Sequence, residues 1–162
     1  MEKDIRIVVI GGVSSSEILL RMLKKHFFKN VTVFAHKPEN SVNVSSYVDL
    51  GLISEILEYK YFYFKNISES IKKIQNIKPD ILFAVGISQI IPIEILSHIK
   101  LCSIGFHPTC LPKGRGRAPL AWLILEKEKF GASTFFIMNE GVDDGSILVS
   151  ERFYLNPKDD AE

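Results

Sequence analysis

The sequence predicts an α/β protein with a mostly parallel central sheet flanked by helices and a pair of late antiparallel strands. Three observations predict it. The chain opens with β-branched residues from Ile5 to Ile10, which read as a strand buried on both faces. Short apolar runs then alternate with segments of helical spacing, the order that builds parallel β-α-β units. Near the end, two strand-like runs flank the glycine-bounded turn Gly141–Gly145, as an antiparallel pair does.

Gly11 and Gly12 break the first strand, and Ser14 to Ser16 can cap the helix after it. Ile18, Leu19, Met22 and Leu23 recur at helical spacing and predict that helix to about Phe28. Val31 to Ala35 is a second strand, and the polar stretch from His36 to Tyr47 reads as a loop. Tyr61 to Phe64 is a short aromatic strand, followed by helical spacing from Ile67 to Ile77. Pro79 and Asp80 introduce a strand over Ile81–Val85 that Gly86 ends. Pro92 suits the first turn of a helix through Ile99. Leu101 to Phe106 is a strand, Ala118 to about Lys127 a helix, and Ser133–Met138 and Ile147–Leu155 the late strands.

Size and charge bound the rest. The chain has 162 residues, 46% of them hydrophobic, enough for one domain over residues 1–162 with a sizeable core. Residues Asp159 to Glu162 read as the start of a capping helix, so a further C-terminal segment is expected. Lys plus Arg total 20 against 19 Asp plus Glu, a net charge of +1, which gives no field for a polyanion or an anionic membrane. The two cysteines, Cys102 and Cys110, complete neither a disulfide framework nor a zinc site, and no metal is expected. With no signal-like or membrane-length apolar segment, the expected location is the cytoplasm.

The chemistry concentrates after the strand that ends near Phe106. His107 follows it directly, and Pro108 and Pro112 stiffen the loop that carries it, as a positioned catalytic histidine requires. Arg115 and Arg117 stand among glycines ahead of a helix start, a pattern that suits an anion such as phosphate. Asp143 and Asp144 lie in a glycine-flanked turn and could tune or relay for a histidine. Taken singly each has a plainer reading: a structural histidine, a turn, a solvated loop.

Together, the run from Ser103 through His107, Pro108, Leu111, Pro112, Arg115 and Arg117 to Trp122 resembles the signature of formyltransferases that use N10-formyltetrahydrofolate. The distance on to Gly141–Gly145 is similar too, and Pro79 to Pro92 resembles the strand and loop on which these enzymes bind folate. The resemblance runs from about Ile5 to the end. It implies a Rossmann-like formyltransferase fold, in agreement with the order of elements.

It also implies a trio of Asn, His and Asp. His107 matches the histidine and Asp143 the aspartate, while the asparagine position holds Gly105. A missing oxyanion donor costs on the order of 10²–10³ in rate. Ser103 shares a strand face with Gly105 and His107, so Ser103 or a water could reach the vacated space, while the plainer reading of Ser103 is a strand serine. The resemblance places the pterin against Gly86, Ser88, Gln89, Ile90 and Ile91, with Val142 and Asp143 closing the other side, and leaves Asp144 as a loop residue.

Three acceptors stay open, all primary amines, with an amino sugar on a nucleotide carrier ranked first. The Arg115–Arg117 run resembles the branch that formylates amino sugars on nucleotide carriers, where Arg117 would meet a carrier phosphate with Arg115 as helper. The initiator-tRNA branch would be expected to carry a further C-terminal domain. The purine-pathway branch would want a phosphate loop at Gly11 to Ser16, which otherwise reads as a helix cap. A rival class is a non-catalytic folate- or nucleotide-binding module, favoured by Gly105. Nucleic-acid binding finds only Tyr61 to Lys65 in its support, and aromatic strands are more often core. A homodimer is compatible with every one of these readings.

Overall fold

The computed structural model describes residues 4–40, 44–156 and 158–160. The chain divides into two compact units, Met1–Ser103 and Ile104–Glu162.

The first unit is built on four parallel strands, β1 (Ile7–Gly11), β2 (Val31–His36), β3 (Lys60–Phe64) and β4 (Ile81–Val85), in the order β3-β2-β1-β4. Ile7 faces Val31 on one side and Ile81 on the other. Every residue of β1 is buried, which is why it is apolar without alternation. The helices are α1 (Ser14–Lys25), α2 (Leu50–Ile56), α3 (Ile71–Ile77) and α4 (Ile93–Leu96).

Helix α1 turns Ser16, Leu20 and Leu23 inward and leaves Ile18 and Met22 exposed. It ends three residues before Phe28, because Phe27 takes a left-handed φ of 63° and the Phe28 N–H closes onto the Leu23 carbonyl at 3.0 Å. Its first turn is held by Ser16, whose hydroxyl accepts from the Gly12 and Val13 N–H groups and donates to the Val85 carbonyl at 2.6 Å. Of the three serines expected to cap, Ser16 thus acts from inside the helix, and Val13 occupies the cap position.

Helix α2 has no counterpart among the sequence expectations. Asp49 caps it, accepting from Gly51 N–H at 2.9 Å and from the Tyr63 hydroxyl at 2.8 Å. The polar stretch ahead of it contains a 3₁₀ turn, Pro38–Asn40, and residues 41–43 lie outside the described ones. The helix expected from Ile67 starts as a 3₁₀ turn, Ile67–Ser70, before α3 begins. The helix expected through Ile99 is shorter, since α4 stops at Leu96.

At the other end of the strands, Asp80 is buried. It accepts the Arg6 N–H at 2.8 Å and pairs with the guanidinium of Arg6 and the ammonium of Lys100. These partners, the Arg6 backbone first, hold its carboxyl below the usual range.

The second unit is antiparallel. Strand β5 (Cys102–His107) leads into it and pairs with β6 (Phe130–Ile137), which pairs with β7 (Ile147–Tyr154). Helix α5 (Pro119–Leu125) connects β5 to β6 and is shorter at both ends than expected, with Ala118 capping it at a left-handed φ of 51°. Parallel strands with intervening helices, then antiparallel pairing, match the predicted class. Glycine meets phenyl twice across these ladders: Gly105 faces Phe136 and Gly131 faces Phe153, with each ring over the glycine. At the end, the Asp159 carboxylate and N–H bond reciprocally to Asn156, and 161 and 162 lie outside the described residues.

Candidate functional site

In the second unit, β5 delivers His107 to its last position, buried on the same face as Gly105. Its Nε2 lies 2.7 Å from the Gly114 carbonyl. A carbonyl oxygen only accepts, so Nε2 carries a proton and donates it there. The Nδ1 edge faces Asp143, whose Oδ2 stands 3.5 Å away, an ion-pair distance rather than a hydrogen bond.

Asp143 has a second task. The same Oδ2 accepts the Gly116 N–H at 3.0 Å, which ties the arginine loop to the turn. Asp143 itself takes a left-handed φ of 50°, a conformation that aspartate tolerates better than most residues. Thr109 sets the loop from beneath: its hydroxyl donates to the Lys113 carbonyl at 2.8 Å, and its own carbonyl accepts from Thr134 at 2.7 Å. Thr134 also bonds Ser150. Neither threonine is marked in the sequence, where nothing announces its partners.

Arg115 and Arg117 project into solvent from this loop, and among the described residues neither forms an ion pair. Val142 is exposed, and the Asp144 carboxylate folds over Gly141. The space beside Gly105 is filled. A Cβ there would stand 2.5 Å from Cζ and 2.8 Å from Cε1 of Phe136, so the phenyl ring, not Ser103 or water, takes the volume expected to be vacant.

In the first unit, the segment after β4 begins at Gly86, whose φ of 66° and contact with the Val13 side chain exclude a Cβ. Ser88 is exposed. Gln89 is spent on the fold: its amide oxygen accepts from Ile67 N–H and its amide nitrogen donates to the Lys65 carbonyl, both at 2.8 Å. Ile90 is 76% exposed, whereas Ile91 is buried in the core. An open cleft of about 610 Å³, lined by Lys65, Asn66, Glu69, Gln89 and Ile90, adjoins this segment. Its three residues from beyond β3 carry no sequence signal. Nearby, burial holds the His36 imidazole below its ordinary value, and its Nδ1 is buried without a partner among the described residues.

The loop after β1 offers no phosphate cradle. The Gly12 and Val13 N–H groups go to Ser16, and the Ser14 N–H goes to the Ser46 carbonyl at 3.0 Å.

Comparison with known proteins identifies the family and agrees with the fold. The family model described as formyl transferase matches residues 5–162. A methionyl-tRNA formyltransferase of Clostridium novyi (strain NT) is 35% identical over 108 residues, covering 67% of this chain and 35% of its own length. Among solved structures, phosphoribosylglycinamide formyltransferase from Bacillus halodurans superposes with a TM-score of 0.78 at 15% identity, over 96% of this chain and 83% of its own. An N-formyltransferase from Helicobacter canadensis, solved with folinic acid and dTDP-3-aminofucose, gives 0.76 at 22% identity, over 97% and 55%. At these identities the structures speak for the fold alone. The matches span 30% to 54% of the length of the curated relatives.

Proposed function

The chain belongs to the formyl transferase family, and from that premise we propose that it moves a formyl group from N10-formyltetrahydrofolate to a primary amine. The observation that carries the reading is the buried His107 held between the Gly114 carbonyl and Asp143.

In this reading the donor supplies the formyl carbon. His107 gives a proton or a hydrogen bond to the formyl oxygen as charge builds there, with Nε2 exchanging the Gly114 carbonyl for it. Asp143 orients His107 and helps take the proton of the attacking amine. The bond from the formyl carbon to the amine forms, the bond to the folate N10 breaks, and the amine proton ends on N10. In the first unit, Gly86, Ser88 and Ile90 contribute to pterin recognition; the exposed apolar side chain of Ile90, four residues after Gly86, suits a flat heteroaromatic ring. Gln89 and Ile91 support that segment from within. Val142 is the exposed apolar neighbour of Asp143 in the second.

An amino sugar on a nucleotide carrier is the acceptor we favour, because Arg115 and Arg117 are exposed cations without ion-pair partners among the described residues. A methionyl-tRNA acceptor is the second reading, favoured by the 35% identical relative. The purine-type acceptor loses its support at the β1–α1 loop, where the amides have internal partners. No helix among the described residues is long and apolar enough to cross a membrane, and a cytoplasmic location remains part of the proposal.

The test pairs calorimetry with turnover. The protein is expected to bind 5-formyltetrahydrofolate and to formylate a dTDP-linked amino sugar, and His107→Ala is expected to bind without transferring. Full transfer by His107→Ala would remove the histidine from the mechanism. No binding at millimolar ligand would remove the folate reading.

A further inference from the structure

Phe136 is buried; its ring covers one glycine of the second unit and its edge faces a second. One is Gly105, its cross-strand partner, over which the ring sits so closely that a Cβ would stand 2.5 Å from Cζ. The other neighbour is Gly145, where a Cβ would run into the Ile137 carbonyl and would stand in ordinary contact with the ring, 3.5 Å from Cδ2. Gly105 is two residues before His107 on β5, and Gly145 is two residues after Asp143 in its turn. The ladder between β6 and β7 shifts register between Phe135 and Phe136, and such bulges re-aim a side chain.

The geometry points to Phe136 as a positioning residue that wedges the histidine strand against the aspartate turn and so fixes the spacing of His107 and Asp143. The inference rests on the formyl-transfer reading and deepens it. A phenyl ring is rigid, and a packed interior transmits its shape rather than absorbing it. The wedge also explains Gly105. An asparagine at that position requires the ring to leave its place, so in this arrangement the chain trades a side-chain amide donor for a brace. Position 105 and position 136 therefore act as one unit: what the first can carry depends on what the second leaves free.

The experiment compares the parent with Phe136→Ala, Phe136→Leu, Gly105→Asn and the double variant Gly105→Asn/Phe136→Ala. It reads thermal midpoint, affinity for 5-formyltetrahydrofolate, and kcat and KM for formyl transfer from 10-formyltetrahydrofolate to a dTDP-linked amino sugar. Misplacing reacting groups by about 1 Å costs about 10²-fold, and Phe136→Ala is expected to lose kcat on that scale while KM for the donor holds. Phe136→Leu should stay close to the parent. Gly105→Asn alone should lower the thermal midpoint, and the double variant should regain both midpoint and kcat, because the amide enters the volume that the ring leaves.

A parent-like kcat in Phe136→Ala would overturn the inference alone, as would a double variant no better than Phe136→Ala. If the parent binds folate without turnover, transfer by the double variant supports the wedge, and transfer by none of the variants overturns it. If neither the parent nor any variant binds 5-formyltetrahydrofolate, the formyl-transfer reading itself has failed and the proposed role of Phe136 falls with it.

Discussion

Asp143 reaches both His107 and Gly116 with one carboxylate oxygen, at 3.5 Å and 3.0 Å. The aspartate is therefore a tether as well as a partner for the imidazole, and the two roles separate in experiment.

Asp143→Ala is expected to free the loop from Gly114 to Arg117. Trypsin should then cleave after Arg115 or Arg117 faster than in the parent, with the first unit's fragments unchanged. Transfer should fall by on the order of 10²–10⁴, the range of a lost acid–base partner. Equal cleavage rates in the two proteins would show that the Gly116 hydrogen bond does not restrain the loop.

Ser16→Ala removes a fully buried hydroxyl that serves two N–H groups and the Val85 carbonyl. Unpairing buried backbone groups costs about 1–3 kcal/mol, and the urea midpoint should fall accordingly. An unchanged midpoint would mean that water replaces the hydroxyl at no cost.

Asp49→Ala removes the cap of α2 and the acceptor of the Tyr63 hydroxyl. Loss of such a cap costs about 0.5–2 kcal/mol. The burial and the Asp49 hydrogen bond that raise the Tyr63 phenol would be partly relieved, so its ultraviolet titration should begin at lower pH in the variant.

Asp80 gives the chain a pH dependence of definite sign. Its carboxyl is held below the ordinary value by the Arg6 N–H and guanidinium and by Lys100. A depressed folded value means that the contribution is present above the unfolded aspartate value and is lost as pH falls through the folded one. Acid unfolding followed by circular dichroism should therefore lose part of its steepness in Asp80→Asn. Identical acid profiles would contradict this.

Much of the fold is legible in the sequence because local signals agree with one another. The strand Ile81–Val85 is bounded correctly by Pro79 and Asp80 before it and Gly86 after it. Helix α2 is not foreseen, because seven residues containing Gly51 depend on Asp49 and on a tyrosine from β3. Helix ends also slip where non-glycine residues, Phe27 and Ala118, take left-handed conformations that composition does not announce. At the site, motif order brings His107 and Asp143 to attention, and the structure sets them side by side. Thr109 and Phe136 stay hidden, since one acts through backbone carbonyls and the other through a register shift.

The glycine–phenyl pairs have a consequence for how this chain can drift. At Gly105 and Phe136, and again at Gly131 and Phe153, the ring of one strand occupies the volume that the other strand lacks. A scan of single substitutions would score the two glycines as intolerant of any side chain and the two phenyl positions as intolerant of truncation. Paired exchanges, small for large on one strand and large for small on the next, would pass. Variation at these ladders should therefore come in correlated double steps, and a library that changes both members at once would reach sequences that stepwise selection cannot.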